Sequence, residues 1–247
     1  MKRKYKPAPD LLADRHILVT GAGDGIGKAA AHAYAAHGAT VILLGRTQRK
    51  LEAVYDSIVD AGHPQPAIYP MDLTGAAPPN YEDLAETLAT EFGHLDGLLH
   101  NAAALGTPAP VEHYQPEEWV RVMQVNVNAP FMLTKVCLPL LNRAKDASII
   151  FTSSEVGRRG KAYWGAYATS NFAIEGLMQV LADELESAGK IRVNSIDPGP
   201  VRTAMRTASY PGEDPRTLPS PKSIMRPYLF LMGPDSREIN GQALNAQ

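Results

Sequence analysis

The stretch His16 to His37, HILVTGAGDGIGKAAAHAYAAH, decides the fold. Its first five residues form a short apolar run suited to a buried strand, and its last twelve are an alanine-rich segment suited to a helix that ends at Gly38. Between them stand Gly21, Gly23, Gly25 and Gly27, so the chain turns sharply from strand to helix. Working outward, the same alternation repeats. TVILLG, AIYPMDL, LDGLLHNAA, SIIFTSS and IRVNSIDPG read as five further strands. The segments between them read as amphipathic helices, including one long helix over 116–142 and another over 163–188. Strands that are apolar throughout and separated by helices predict an α/β fold, a doubly wound parallel sheet with helices on both faces.

The 247 residues contain no repeat and no dividing linker, so one domain over 1–247 is expected, with residues 1–14 as an N-terminal extension. One proline-rich, polar stretch, about 203–223, follows the last of these strands, at the sheet edge where open α/β folds bind ligands. It reads as a substrate lid. A formal net charge of −2 argues against a general nucleic-acid binder. No apolar run approaches the roughly eighteen residues of a membrane span. The basic opening MKRKYKPAPD has no apolar core behind it, so it reads as a solvated tail rather than a signal peptide. Cys137 is the single cysteine and lies in an apolar helix; a core thiol and a reducing, cytoplasmic setting are expected. His32 and His37 do not share a helix face, and no metal site is expected.

TGAGDGIG, Thr20 to Gly27, follows a strand and opens a helix. In that setting glycines let a pyrophosphate reach main-chain N–H groups at a positive helix end. The spacing TGxxxGxG, with HNAA after the fourth strand, VNVNAPF, Ser154, Tyr167 and DPGPVRTAM in that order, resembles the short-chain dehydrogenases/reductases over nearly the whole chain. The wording of several segments is similar to the bacterial YciK-type branch. The resemblance implies a single-domain Rossmann fold and hydride transfer between a nicotinamide and a small carbonyl or alcohol. It further implies that Thr20, Gly21, Gly23, Gly25, Ile26 and Gly27 cradle the cofactor, that Asp72 and Leu73 flank the adenine, and that Asn101 and Ala102 close the fourth-strand side. Pro198, Gly199, Val201 and Thr203 would meet the nicotinamide end. After the second strand, where an NAD site commonly has a carboxylate, stand Gly45, Arg46 and Thr47. Arg46 would hold a 2′-phosphate, so NADP(H) is favoured, with NAD(H) possible. HNAA in place of NNAG is a mild departure.

Carried over by position, the proton-transferring tyrosine is Tyr167, the serine that holds the substrate oxygen Ser154, and the relay asparagine Asn126. Ser153 would face the other way, and Asn128 is less well spaced. The family's lysine, one turn after the tyrosine, lowers its pKa and binds the nicotinamide ribose. Here that position is Asn171, which carries no charge. Three readings follow: a weakened NADP(H)-dependent oxidoreductase, a non-catalytic NADP(H)-binding sensor or scaffold, or an inactive engineered variant. Arg158, Arg159, Arg202 and Arg206 could meet an acidic substrate or make surface or subunit contacts. Lys161 has no readable position, and Tyr163 and Trp164 could stack on a ring or pack on the helix. NFAIEGLMQVLADEL has more apolar positions than one core-facing stripe requires, and the resemblance implies that the fourth and fifth helices pair across a symmetry axis. A homodimer or homotetramer is therefore expected; the alternative is that both faces are covered within one subunit.

Overall fold

The computed structural model describes residues 5–247. Seven strands form one parallel sheet: β1 (His16–Thr20), β2 (Thr40–Gly45), β3 (Ala67–Pro70), β4 (Gly97–His100), β5 (Ala147–Thr152), β6 (Ile191–Asp197) and β7 (Ala243–Asn245). Their spatial order is β3-β2-β1-β4-β5-β6-β7. The sheet winds outward from β1 in both directions, and the order reverses between β1 and β4. That switch point opens a crevice at the carboxyl ends of the strands.

Alternate strand residues feed two cores. Leu18, Ile42, Leu98 and Ile149 face a layer built by α3 (Pro78–Phe92), α5 (Ala129–Leu141) and α6 (Gly165–Glu186), which contribute Leu84, Leu133, Cys137 and Met178. Ile17, Val19, Val41 and Ile150 face α1 (Gly25–Ala35), α2 (Gln48–Asp60) and α8 (Met225–Met232), which contribute Ala31, Val54 and Tyr228. Strands covered on both faces must be apolar along their whole length, which is why their sequences do not alternate.

Four features of the structure refine the sequence reading. The long helix over 116–142 is divided: α4 (Pro116–Met123) passes into one π-helical turn, Gln124–Asn128, before α5. Helix α6 starts at Gly165 rather than at 163, because Tyr163 takes a left-handed backbone with φ 72°. The stretch read as a lid is ordered as α7 (Ala204–Ser209) and two short 3-10 turns, Pro215–Thr217 and Pro221–Ile224. In the N-terminal segment Lys6 is exposed, as a solvated tail requires, but Tyr5 is docked. Its hydroxyl donates to Asp235 at 2.8 Å and its ring lies 5.1 Å from Phe230. The basic residues 2–4 lie outside the described residues. No described helix is long and apolar enough to cross a membrane.

Candidate active site

A cleft of about 1360 Å³ opens along the carboxyl ends of the strands. Its nucleotide half rests on Thr20. The Thr20 hydroxyl accepts from the backbone N–H groups of Asn101 (2.9 Å) and Ala102 (3.0 Å) and donates to the Leu99 carbonyl (3.3 Å), tying the end of β1 to the end of β4. Gly21 has φ 68° and lies so close to β4 that a Cβ there would stand 3.0 Å from the Ala102 Cα. A Cβ on Gly27 would strike the Gly21 carbonyl oxygen. The glycine turn is thus packed by contacts that exclude side chains, while the start of α1 faces the cleft. Asp24 caps that helix through the Gly25 N–H at 2.7 Å, and its other oxygen meets Lys50 at 2.6 Å. The Lys50 ammonium holds the Asp24 carboxyl below the usual range.

Gly23 and Ile26 line the same wall. Arg46 and Thr47, beyond β2, are exposed on the rim, and Arg46 has no carboxylate partner among the described residues. Asp72 and Leu73 follow β3 on that side; the Asp72 carboxylate accepts from the Thr74 N–H at 3.0 Å. Across the cleft, Gly199 donates to Asp197 at 2.8 Å, Val201 is buried, and the Thr203 hydroxyl caps α7 through the Arg206 N–H at 3.1 Å. The loop through Pro198 is further held by Gln247, whose amide donates to the carbonyls of Pro198 (2.6 Å) and Pro200 (2.9 Å). Nothing in the sequence pattern marks Gln247 for that place.

The other half of the cleft gathers the residues read as catalytic. Ser154, just past β5, lines it with an extended backbone. The neighbouring Ser153 hydroxyl is buried and has no hydrogen-bond partner among the described residues. Asn126 lies in the π-helical turn, where the inserted residue breaks the helical register, a distortion common at functional sites. Its carbonyl oxygen accepts from the Ala104 N–H at 2.7 Å; its amide donates to the Ala104 carbonyl (2.9 Å) and to the Ser170 hydroxyl (3.0 Å). Asn128 instead donates to Gln124 in an exposed contact.

Tyr167 and Asn171 share one face of α6. The Asn171 amide donates to the Tyr167 backbone carbonyl at 2.8 Å, and the residue is buried. Burial pushes the Tyr167 phenol above its ordinary pKa near 10; contact with the Asn171 amide opposes this and the Asp197 carboxylate adds to it. Lys161 does not replace the missing cation, because its ammonium donates to the Tyr210 hydroxyl at 2.9 Å. Arg206 is clamped to Glu213 at 2.6 Å, Arg158 bonds Asn245 at 2.6 Å, and Arg159 is exposed. His100, in the variant HNAA segment, stacks on Phe151 at 4.7 Å and bonds Thr134 at 2.9 Å. Burial pushes its pKa down to about 3.

At the opposite edge of the sheet, His16, His94 and Asp96 hold their ligand atoms within 4.8 Å of one another, a grouping absent from the pairs considered in sequence. The Asp96 oxygen there already accepts from the His16 backbone N–H at 2.9 Å and lies 3.2 Å from His94.

Sheet order, glycine turn and cleft together define a Rossmann-like architecture, and the chain belongs to the short chain dehydrogenase family, whose model matches residues 15–214. It is 52% identical over 243 residues to the uncharacterized oxidoreductase YciK of Escherichia coli K12, covering 98% of this chain and 96% of that protein. The 3-oxoacyl-[acyl-carrier-protein] reductase FabG of Vibrio cholerae is 30% identical over 242 residues, covering 95% of this chain and 96% of that one. Among solved structures, yciK from E. coli superposes with a TM-score of 0.96 at 52% identity, covering 99% of both chains. A candidate short chain dehydrogenase from E. coli CFT073 complexed with NADPH gives 0.95 at 52% identity, covering 98% of this chain and 100% of that one.

Proposed function

We propose that the protein transfers a hydride between NADP(H) and a small carbonyl or alcohol, with turnover weakened by Asn171. The observation that carries this reading is the convergence of Ser154, Tyr167 and Asn126 on the cleft that the glycine turn opens. The residues suit a dinucleotide: backbone N–H groups at the start of α1 meet a pyrophosphate, and the glycine turn leaves no room for side chains in its way. The unpaired Arg46 meets a 2′-phosphate, and the crystal complex of the similar E. coli protein with NADPH supports that choice. When bound, the nicotinamide supplies or accepts the hydride. Ser154 holds the substrate oxygen, and the Tyr167 hydroxyl gives that oxygen its proton in reduction or takes it back in oxidation. Asn126 fixes the loop at Ala104 and the Ser170 hydroxyl beside the tyrosine. Residues 203–223 act as the lid.

A non-catalytic NADP(H)-binding protein is the second reading, favoured by the neutral Asn171, whose amide is spent on the Tyr167 backbone carbonyl at 2.8 Å. Calorimetric binding of NADPH and a panel of aldehydes and ketones separate the two. Oxidation of NADPH that disappears in Tyr167→Phe supports the enzyme; binding with no oxidation on any substrate supports the second reading.

The same reading makes the protein a single-domain cytoplasmic homodimer or homotetramer. Phe131 on α5, with Phe172 and Val180 on α6, is exposed as a paired helix face requires. A monomer in light scattering at micromolar concentration would remove the assembly from the reading.

A further inference from the structure

Five cations line the catalytic half of the cleft, and three are already neutralised. Arg121 pairs with Glu118 (3.4 Å), Arg158 with Glu175 (3.7 Å) and Arg206 with Glu213 (2.6 Å). Arg159 and Lys161 have no carboxylate partner among the described residues. Lys161 is nevertheless held in place. Its ammonium donates to the Tyr210 hydroxyl at 2.9 Å and lies 5.3 Å from the Tyr210 ring centroid and 5.7 Å from that of Trp164. Aromatic faces position an ammonium without cancelling its charge, and a phenol uses one of its three donors. Trp164 in turn lies 5.7 Å, ring to ring, from Tyr167. One flat indole therefore separates the proton-transferring phenol from a fixed positive charge. The same loop carries one unpaired carboxylate, Glu155, but no side-chain contact fixes it among the described residues. The other unpaired carboxylate of this half, Asp197, accepts from the Gly199 N–H at 2.8 Å, across the cleft from that loop.

We propose that the substrate is a carbonyl compound bearing a carboxylate on a flat body, with the carboxylate received by Lys161, the body laid against Trp164 and the carbonyl directed to Tyr167. The inference rests on the oxidoreductase reading above. In reduction the carbonyl carbon takes the hydride from NADPH, its oxygen takes the proton from Tyr167, and the carboxylate takes no part. Lys161 is a specificity residue, because a charge pair separates an anionic ligand from its neutral counterpart without helping the chemistry.

The test compares 4-carboxybenzaldehyde with methyl 4-formylbenzoate, which share ring and aldehyde and differ in charge. Both are titrated calorimetrically into protein loaded with NADP⁺, so that no hydride is available. Lys161 is exposed at the cleft rim, so the acid should bind about three- to fivefold more tightly than the ester, the equivalent of one exposed charge pair. Lys161→Arg should keep that ratio and Lys161→Met should bring it close to one, with NADP⁺ affinity reporting that each variant is folded. Equal affinities, a preference that survives in Lys161→Met, or no binding of either compound by loaded protein would overturn the inference. Failure to bind NADP⁺ at all would strike the oxidoreductase reading itself, and this inference with it.

Discussion

Replacing Asn171 by lysine should restore the electrostatics that Tyr167 lacks. The asparagine is buried one turn beyond the tyrosine, and its amide is spent on the Tyr167 backbone carbonyl at 2.8 Å. Burial and the Asp197 carboxylate both hold the phenol in its neutral form. An ammonium within about 4–6 Å favours the phenolate by 1–3 pK units. A shift of about two units is worth roughly 2.7 kcal/mol, or about 10²-fold more phenolate at neutral pH. Alcohol oxidation, in which the tyrosine is the base, should gain nearly all of that factor; carbonyl reduction, in which it is the acid, should gain less. The assay is a pH–rate profile for oxidation of an alcohol with NADP⁺, run on both proteins once a substrate is in hand. The inflection of the parent should lie above pH 10 and that of Asn171→Lys about two units below it. Tyr167→Phe in the lysine background should abolish the gain. A lysine variant that binds NADPH at least as well as the parent, yet shows the same inflection and rate, would refute the activation argument.

Arg46→Asp should reverse the preference for NADPH over NADH. It removes a charge-assisted contact of about 1.5–3 kcal/mol and adds a repulsive carboxylate; equal affinities for the two cofactors in the parent protein would count against the assignment. His100 carries a proton in the unfolded chain below its ordinary pKa of 6.5 but not in the fold until about pH 3, so stability falls as pH drops through that window. His100→Asn should spare about 2 kcal/mol of the loss between pH 6.5 and 5, read from urea midpoints; equal losses in both proteins would exclude His100 as the cause. Gly97→Ala would drive a methyl into the Met232 sulfur and against Ile17 at 3.2 Å, costing about 1–3 kcal/mol; an unchanged urea midpoint would show that α8 yields.

What the sequence reveals and what it hides divide along a physical line. HILVTGAGDGIGKAAAHAYAAH shows strand, turn and helix because each part carries its own local signal: apolar run, glycines, alanine-rich segment. The seventh strand, ALN, is three residues long, and α8 carries a proline within eight, so neither rises above its surroundings. The π-helical turn at Asn126 is silent for another reason. The helical pattern runs on either side of it, and one inserted residue changes which side chain faces the cleft without changing composition. Tyr163 gives no sign of its left-handed backbone, although the beginning of α6 depends on it. Charge is hidden most deeply. Asn171 is legible as a missing cation because helical spacing ties it to Tyr167, whereas the cations that do line the cleft cannot be sorted in sequence. Arg206 is cancelled by Glu213, seven residues on, while Lys161 meets a neutral phenol 49 residues away. Which of these charges is left to bind a substrate is therefore fixed by where the 203–223 segment folds back over the loop after β5, a tertiary fact that no local spacing encodes.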